Sequence, residues 1–255
     1  MSKQTIPKAD WRRRTSRSFF LWILGLGGLC SLLVFVSKAP LDQGIPTPLR
    51  TVHEWNGTLW AKVFSPIHSG ENPIVPVGKV PRVNGTIGLE EDLDPESWSL
   101  EVITDRDTPG AKVIQLHLAD LLRMPQTDTS ALFKCIEGWS EEVSYRGVRF
   151  SDFLQELNVG HLPGGNEMFP FVGMETPDGK YYVSLDMDSM LYKKTILAVA
   201  MNGQDLAEEN GAPLRLVIPL KYGIKNIKRI GRIFFSRTRP RDYWTERGYD
   251  WYSGL

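Results

Sequence analysis

The stretch Phe133-Lys-Cys-Ile-Glu-Gly-Trp-Ser140 carries a cysteine at the end of a predicted strand. Leu132–Ile136 alternates with the period of two expected of an extended segment, so Cys135 is delivered to the strand's end. The chain has two cysteines, and the other, Cys30, sits in an uncharged apolar run near the N-terminus. The body around Cys135 therefore has no internal disulfide partner. Such a cysteine is inert and buried, paired between chains, or a reactive thiolate or metal ligand. On side-chain chemistry alone burial is favoured, because a free thiol behaves as a small hydrophobe.

Working outward, Trp98–Val102 and Lys112–Leu116 read as short strands and Leu118–Arg123 as a helical turn. Ser151 is placed to cap a helix over Asp152–Asn158. Phe169–Met174 and Tyr181–Leu185 flank the turn signal Pro177-Asp178-Gly179 as a hairpin would. Thr195–Ala200 and Leu214–Ile218 are apolar and β-branched, with Asn202-Gly203 opening the loop between them. Ile230–Phe235 is a last strand before a polar, aromatic tail. Many short strands with a few short helices predict an α+β domain, largely β.

Before this body stands Phe19-Phe-Leu-Trp-Ile-Leu-Gly-Leu-Gly-Gly-Leu-Cys-Ser-Leu-Leu-Val-Phe-Val36, with no charge. It is close to the shortest run that spans a bilayer core. A cleaved signal peptide has a shorter apolar region ending at small residues, whereas this one ends Val36-Ser-Lys-Ala-Pro40. The expectation is one retained N-terminal transmembrane helix. Residues 1–17 set six cations (Lys3, Lys8, Arg12, Arg13, Arg14, Arg17) against Asp10, in a chain whose formal net charge is zero. A short basic arm before an apolar run points to a membrane surface and should stay cytoplasmic, sending the body to the extracytoplasmic, periplasmic side. The expected organisation is a basic cytoplasmic arm over 1–18, an anchor over 19–37, a Pro-rich extended linker over 38–81 and one domain over 82–255. Trp55, Trp60 and Phe64 are spaced to pack within the linker, through a short helix from Val52 to Val63.

Several function classes are set aside by the sequence. With no basic stripe in the body, nucleic-acid binding is not expected. The four histidines, His53, His68, His117 and His161, lack metal-ligand spacing. Neither a G-x-S-x-G nor a phosphate-loop signature occurs. Glu141-Glu142 reads as a pair of solvated charges, and Trp139 as core.

Three further stretches change the reading of Cys135: Val148-Arg-Phe-Ser-Asp-Phe-Leu154, Asn210-Gly-Ala-Pro-Leu-Arg-Leu-Val-Ile-Pro219 and Lys221-Tyr-Gly-Ile-Lys-Asn-Ile-Lys228. Taken singly, Asn210-Gly211 is a turn, Arg215 a strand-edge charge, and Lys225 and Lys228 a solvated face. Taken in order with the cysteine, they resemble the sulfite-oxidase-fold molybdopterin-binding oxidoreductases over residues 82–255. The resemblance implies a molybdenum–molybdopterin cofactor with Cys135 as metal ligand and catalytic centre. A thiolate suits that role, since one pterin supplies only two sulfurs and soft ligands complete the set. By the same resemblance Thr176 lies beside metal and pterin, Asn210 and Arg215 hold the cofactor, and Asn226, Ile227 and Lys228 form the loop that holds its phosphate. Asn84, Ile87 and Gly88 align with another cofactor-contacting stretch, although the family's aromatic-acidic pair is missing there.

Ile136-Glu137-Gly138-Trp139-Ser140 replaces the Asn and paired Arg residues that typically follow the cysteine in sulfite oxidases, and Asn210 stands where those enzymes tend to carry His. Both differences, with the Lys-Tyr-Gly-x-Lys loop, resemble the periplasmic protein-methionine-sulfoxide reductase catalytic subunits. The implied function is a membrane-anchored, two-electron oxygen-atom transfer that reduces an S-oxide or N-oxide. The alternatives are a dehydrogenase of sulfite or another sulfur compound, and a cofactor-less binding or scaffold subunit. The chain is expected to lack the C-terminal immunoglobulin-like domain and haem module of sulfite oxidases, which implies a membrane haem or quinol-linked protein as redox partner.

Overall fold

The computed structural model describes residues 8–42, 45–63, 82–94 and 97–254, which divide into two compact units, Met1–Asn56 and Gly57–Leu255. In the first, helix α1 (Lys8–Lys38) contains a 24-residue stretch, Thr15–Lys38, long and apolar enough to cross a membrane by length and composition. Phe19, Leu21, Trp22 and Leu33 on it are all exposed, as a lipid-facing surface would be. The chain then doubles back through β1 (Leu41–Asp42) and β2 (Ile45–Pro46), an antiparallel pair. Helix α2 (Thr47–Val63) follows. It starts earlier than the expected Val52, because Thr47-Pro48 is itself a helix start: proline near the first turn has the right φ and its missing N–H is no loss. The linker is therefore helical from Thr47 to Val63. Residues 64–81, including Phe64 and His68, lie outside the described residues.

The second unit is an α+β body, mostly sheet. One five-stranded sheet runs in the order β4 (Val113–His117), β3 (Ser99–Ile103), β12 (Arg232–Ser236), β7 (Phe171–Glu175), β8 (Tyr182–Asp186). Its β3–β12 pair is parallel and the rest antiparallel. The second sheet runs β10 (Gln204–Asp205), β9 (Ile196–Met201), β6 (Ser140–Arg149), β5 (Gln126–Lys134), with β11 (Arg215–Val217) also on β9. Helices α3 (Leu118–Arg123), α4 (Phe150–Leu157) and α5 (Met187–Met190) are short. The main core includes Trp98, Leu100, Phe150, Phe153, Met174, Leu216 and Phe235. A second, smaller cluster, with Ala131, Val143, Tyr145, Ile196 and Val217, lies along the second sheet.

Two local expectations need correction. Ser151 does not cap α4: β6 runs to Arg149, so the helix starts at Phe150, and the Ser151 hydroxyl bonds Asp152 Oδ1 at 3.1 Å instead. Asn158 in the left-handed conformation (φ 51°) ends the helix, as an Asn at that position can. Cys135 also lies one residue past β5, in the turn to β6. Strand β6, not expected from sequence, pairs with β5 from Gln126↔Val148 to Lys134↔Ser140. That register fixes the cysteine's place.

Candidate active site

The β5–β6 turn is closed by the Cys135 N–H donating to the Trp139 carbonyl (2.9 Å) and the Gly138 N–H donating to the Cys135 carbonyl (3.0 Å). Cys135 is buried at 7% exposure, and its side chain lines a cavity of about 410 Å³. That volume is within the range of small-molecule and cofactor sites. Asn84, Ile87, Asn210, Arg215, Asn226 and Lys228 line the same cavity, so seven of the ten residues singled out from sequence converge on it. Gly88, Thr176 and Ile227 do not line it. Gly88 (φ +77°) packs against Thr176, where a Cβ would come within 2.5 Å of Thr176 Cγ2. The Thr176 hydroxyl bonds Asp178 Oδ1 at 2.6 Å and shapes the turn into β8. The Ile227 side chain is fully buried in the main core, which seats the loop between its neighbours.

Hydrogen bonds tie the cavity wall together. Asn84 Nδ2 lies 3.6 Å from Cys135 Sγ and 3.2 Å from Glu137 Oε2. The Trp139 indole N–H donates to the same carboxylate at 3.1 Å. Lys228 Nζ donates to the carbonyls of Asn84 (2.9 Å), Gly85 (3.0 Å) and Glu209 (2.7 Å), so it clasps the Asn84–Gly85 backbone to its own loop. Burial, reinforced by the Arg215 charge, lowers its pKa to about 8. Gly211 (φ +102°) leaves the room this needs, since a Cβ there would sit 2.7 Å from Lys228 Cβ. Arg215 is 4% exposed and donates to the Asn210 carbonyl at 2.9 Å, beneath Tyr145. Its Nε is buried with no hydrogen-bond partner among the described residues. A buried donor left in that state is costly unless something else meets it.

The structure also brings residues to the site that sequence reasoning passed over. Tyr145, Tyr181, Trp244 and Tyr249 form aromatic walls, and the Tyr181 hydroxyl donates to the Ile224 carbonyl at 2.6 Å. Trp139 is not core: it lines the cavity, half-buried, with the Arg82 guanidinium 4.7 Å above its ring. Glu141, read as a solvated charge, lines the cavity too and accepts the Arg82 N–H at 2.8 Å. No signal in a single sequence separates an aromatic wall of a cavity from an aromatic of the core. The aromatic-rich tail over 243–252 was the visible hint. Among the described residues no group of three or more His, Cys, Asp or Glu could hold a metal ion, so any metal here would rest on Cys135 and a ligand brought from outside the chain.

The family model described as "Oxidoreductase molybdopterin binding domain" matches residues 87–244. The chain belongs to this family. The match takes in every singled-out site residue except Asn84, three positions upstream. Two relatives agree. This chain is 31% identical over 246 residues to a putative protein-methionine-sulfoxide reductase subunit, YedZ1, of Azospira oryzae, covering 93% of this chain and 87% of that one. It is 30% identical over 173 residues to the protein-methionine-sulfoxide reductase catalytic subunit MsrP of Campylobacter jejuni, covering 62% of this chain and 55% of that one. A solved structure, the sulfane dehydrogenase SoxCD from Paracoccus pantotrophus, matches 58% of this chain at 23% identity and a TM-score of 0.49, over 40% of its own chain. As a member of the molybdopterin-binding family, the protein is an oxidoreductase. The donor set fits the family's cofactor: one soft thiol, a buried guanidinium with an unmet donor, a lysine and flat aromatic walls in one cavity.

Proposed function

We propose that this chain is a membrane-anchored, molybdenum-dependent oxidoreductase that reduces a neutral S-oxide, of the kind its relatives' names describe. Cys135 supplies the protein thiolate to the metal. Arg215, Asn210, Lys228 and the Asn226–Ile227 backbone hold the anionic part of the cofactor, with Asn84 and Ile87 lining the remainder, while Gly88 and Thr176 pack on each other outside the cavity lining. When bound, the molybdenum cofactor supplies two-electron oxygen-atom exchange. The net reaction takes a sulfoxide, two protons and two electrons to a sulfide and water.

The observation that carries the direction is Glu137. Its carboxyl is linked through the Asn84 amide to the Cys135 sulfur, where a sulfite-binding site would want cations. An acid at this distance repels an anionic substrate and leaves a neutral oxide unaffected. The aromatic walls formed by Tyr145, Tyr181, Trp244 and Tyr249 give such a substrate an apolar surface. Electrons come from a haem or quinol-linked membrane protein, because sharing one bilayer raises the partner's effective concentration without a tight interface. The basic arm stays cytoplasmic and the body extracytoplasmic. The test is a side-by-side measurement of kcat/KM for methionine sulfoxide or a dialkyl sulfoxide with a reduced dye, and for sulfite with an oxidised one, on cofactor-replete protein. Faster sulfoxide reduction is expected. Faster sulfite oxidation reverses the direction.

A further inference from the structure

Helix α2 carries an apolar stripe that neither the cavity nor the membrane span explains. Leu49, Val52, Trp55 and Leu59 recur at spacings of three, three and four, which puts them along one helix face. All four are exposed, Val52 at 63% and Trp55 at 66%. Arg50 and Glu54 fall on the other side of the helix, and Arg50 is buried beside the Asp42 carboxylate, 4.0 Å away. An exposed stripe of this size on a helix is either covered by something or disfavoured in water.

The fold says what is close to it. Only eight residues separate the end of α1 at Lys38 from the start of α2 at Thr47, and the β1–β2 reversal folds them back. The Thr47 N–H donates to the Pro40 carbonyl at 2.9 Å. The first residue of α2 is therefore within hydrogen-bond reach of the second residue past the apolar span, and Leu41, also exposed, lies in the same reversal. If α1 crosses the bilayer, α2 begins at the level where hydrocarbon gives way to headgroups. A tryptophan in an apolar face opposite charged residues is the composition that settles at this depth.

We infer that α2 is an interfacial helix. It lies along the bilayer that α1 spans, with Leu49, Val52, Trp55 and Leu59 in the headgroup–acyl boundary and Glu54 facing water, while Arg50 is buried beside Asp42. The covering partner is the lipid surface itself, and no second protein is needed to bury the stripe. The inference rests on α1 being a retained span and is independent of the reaction proposed for the cavity.

Spin labels test it directly. The full chain carrying Cys30→Ser and Cys135→Ser is reconstituted in phosphatidylcholine vesicles, with single labels at Val52→Cys, Trp55→Cys, Thr51→Cys or Glu54→Cys. The ratio of collision with oxygen to collision with a water-soluble nickel chelate should be several-fold higher at 52 and 55 than at 54, with 51 between. Equal, water-like ratios at all four positions would overturn the inference, since the helix would then stand in solvent. Labels at 52 and 55 sheltered from both reagents would overturn it as well, by showing a protein surface over the stripe. A chain that fails to float with the vesicles would remove the span, and the interfacial helix with it.

Discussion

Lys228 is a cavity-lining residue whose charge depends on its surroundings. Burial and the Arg215 charge bring its pKa down to about 8, while its ammonium donates to three carbonyls. An anion bound nearby favours the charged form, so the pKa in the loaded protein lies above that of the free site. Affinity for an anionic cofactor should then be flat below pH 8 and fall as pH rises beyond it, by up to about tenfold per pH unit for a single linked proton. Cofactor retention during dialysis across pH 7 to 9.5 measures this, and Lys228→Arg, whose charge does not titrate, should flatten the profile. Arg215→Ala removes a buried cation with an unmet Nε. It should lower molybdenum occupancy more than the unfolding midpoint, because a charge-assisted bond to an anion is lost. A variant that purifies with full metal content would make Arg215 a structural residue only.

At the scale of elements, the turn that carries Asn226 to Lys228 is pinned from behind. The Lys225 ammonium, 1% exposed, pairs with Asp242, which also accepts the Ser184 N–H (3.0 Å) and the Thr245 N–H (3.1 Å). Asp242→Ala leaves a buried cation without its acid and should cost about 3–5 kcal/mol in denaturant unfolding, far more than a surface pair would. Loss of under 1 kcal/mol would show that the tail does not anchor the turn. None of this was visible in the sequence, where Lys225 passed for a solvated charge: burial of an ion pair depends on a partner seventeen residues away. Strand β6 was missed for a related reason. Glu141, Glu142, Arg146 and Arg149 break up its apolar alternation, and its registers with β5 and β9 make it a strand. By contrast α3, the β7–β8 hairpin and β12 were legible, because apolar period and turn residues agree locally. Seven of the ten residues singled out through one ordered set of motifs line the cavity, whereas its aromatic walls were not legible in the sequence.

For the whole molecule, the sequence's charge asymmetry and the α1 span predict a fixed orientation. Residues 1–17 should be cytoplasmic and a tag after Leu255 extracytoplasmic. A reporter active only outside the cytoplasm should therefore work at the C-terminus, and a C-terminus accessible only from the cytoplasm would overturn the orientation. The proposed reaction depends on a molybdenum cofactor held at Cys135. The most direct measurement is metal and pterin analysis of the purified full chain beside its Cys135→Ala variant, with activity measured on both. The prediction is about one molybdenum and one pterin per active chain, since a single thiolate site holds a single metal, and no turnover in the variant. Activity in metal-free protein, or full activity in Cys135→Ala, would contradict the account.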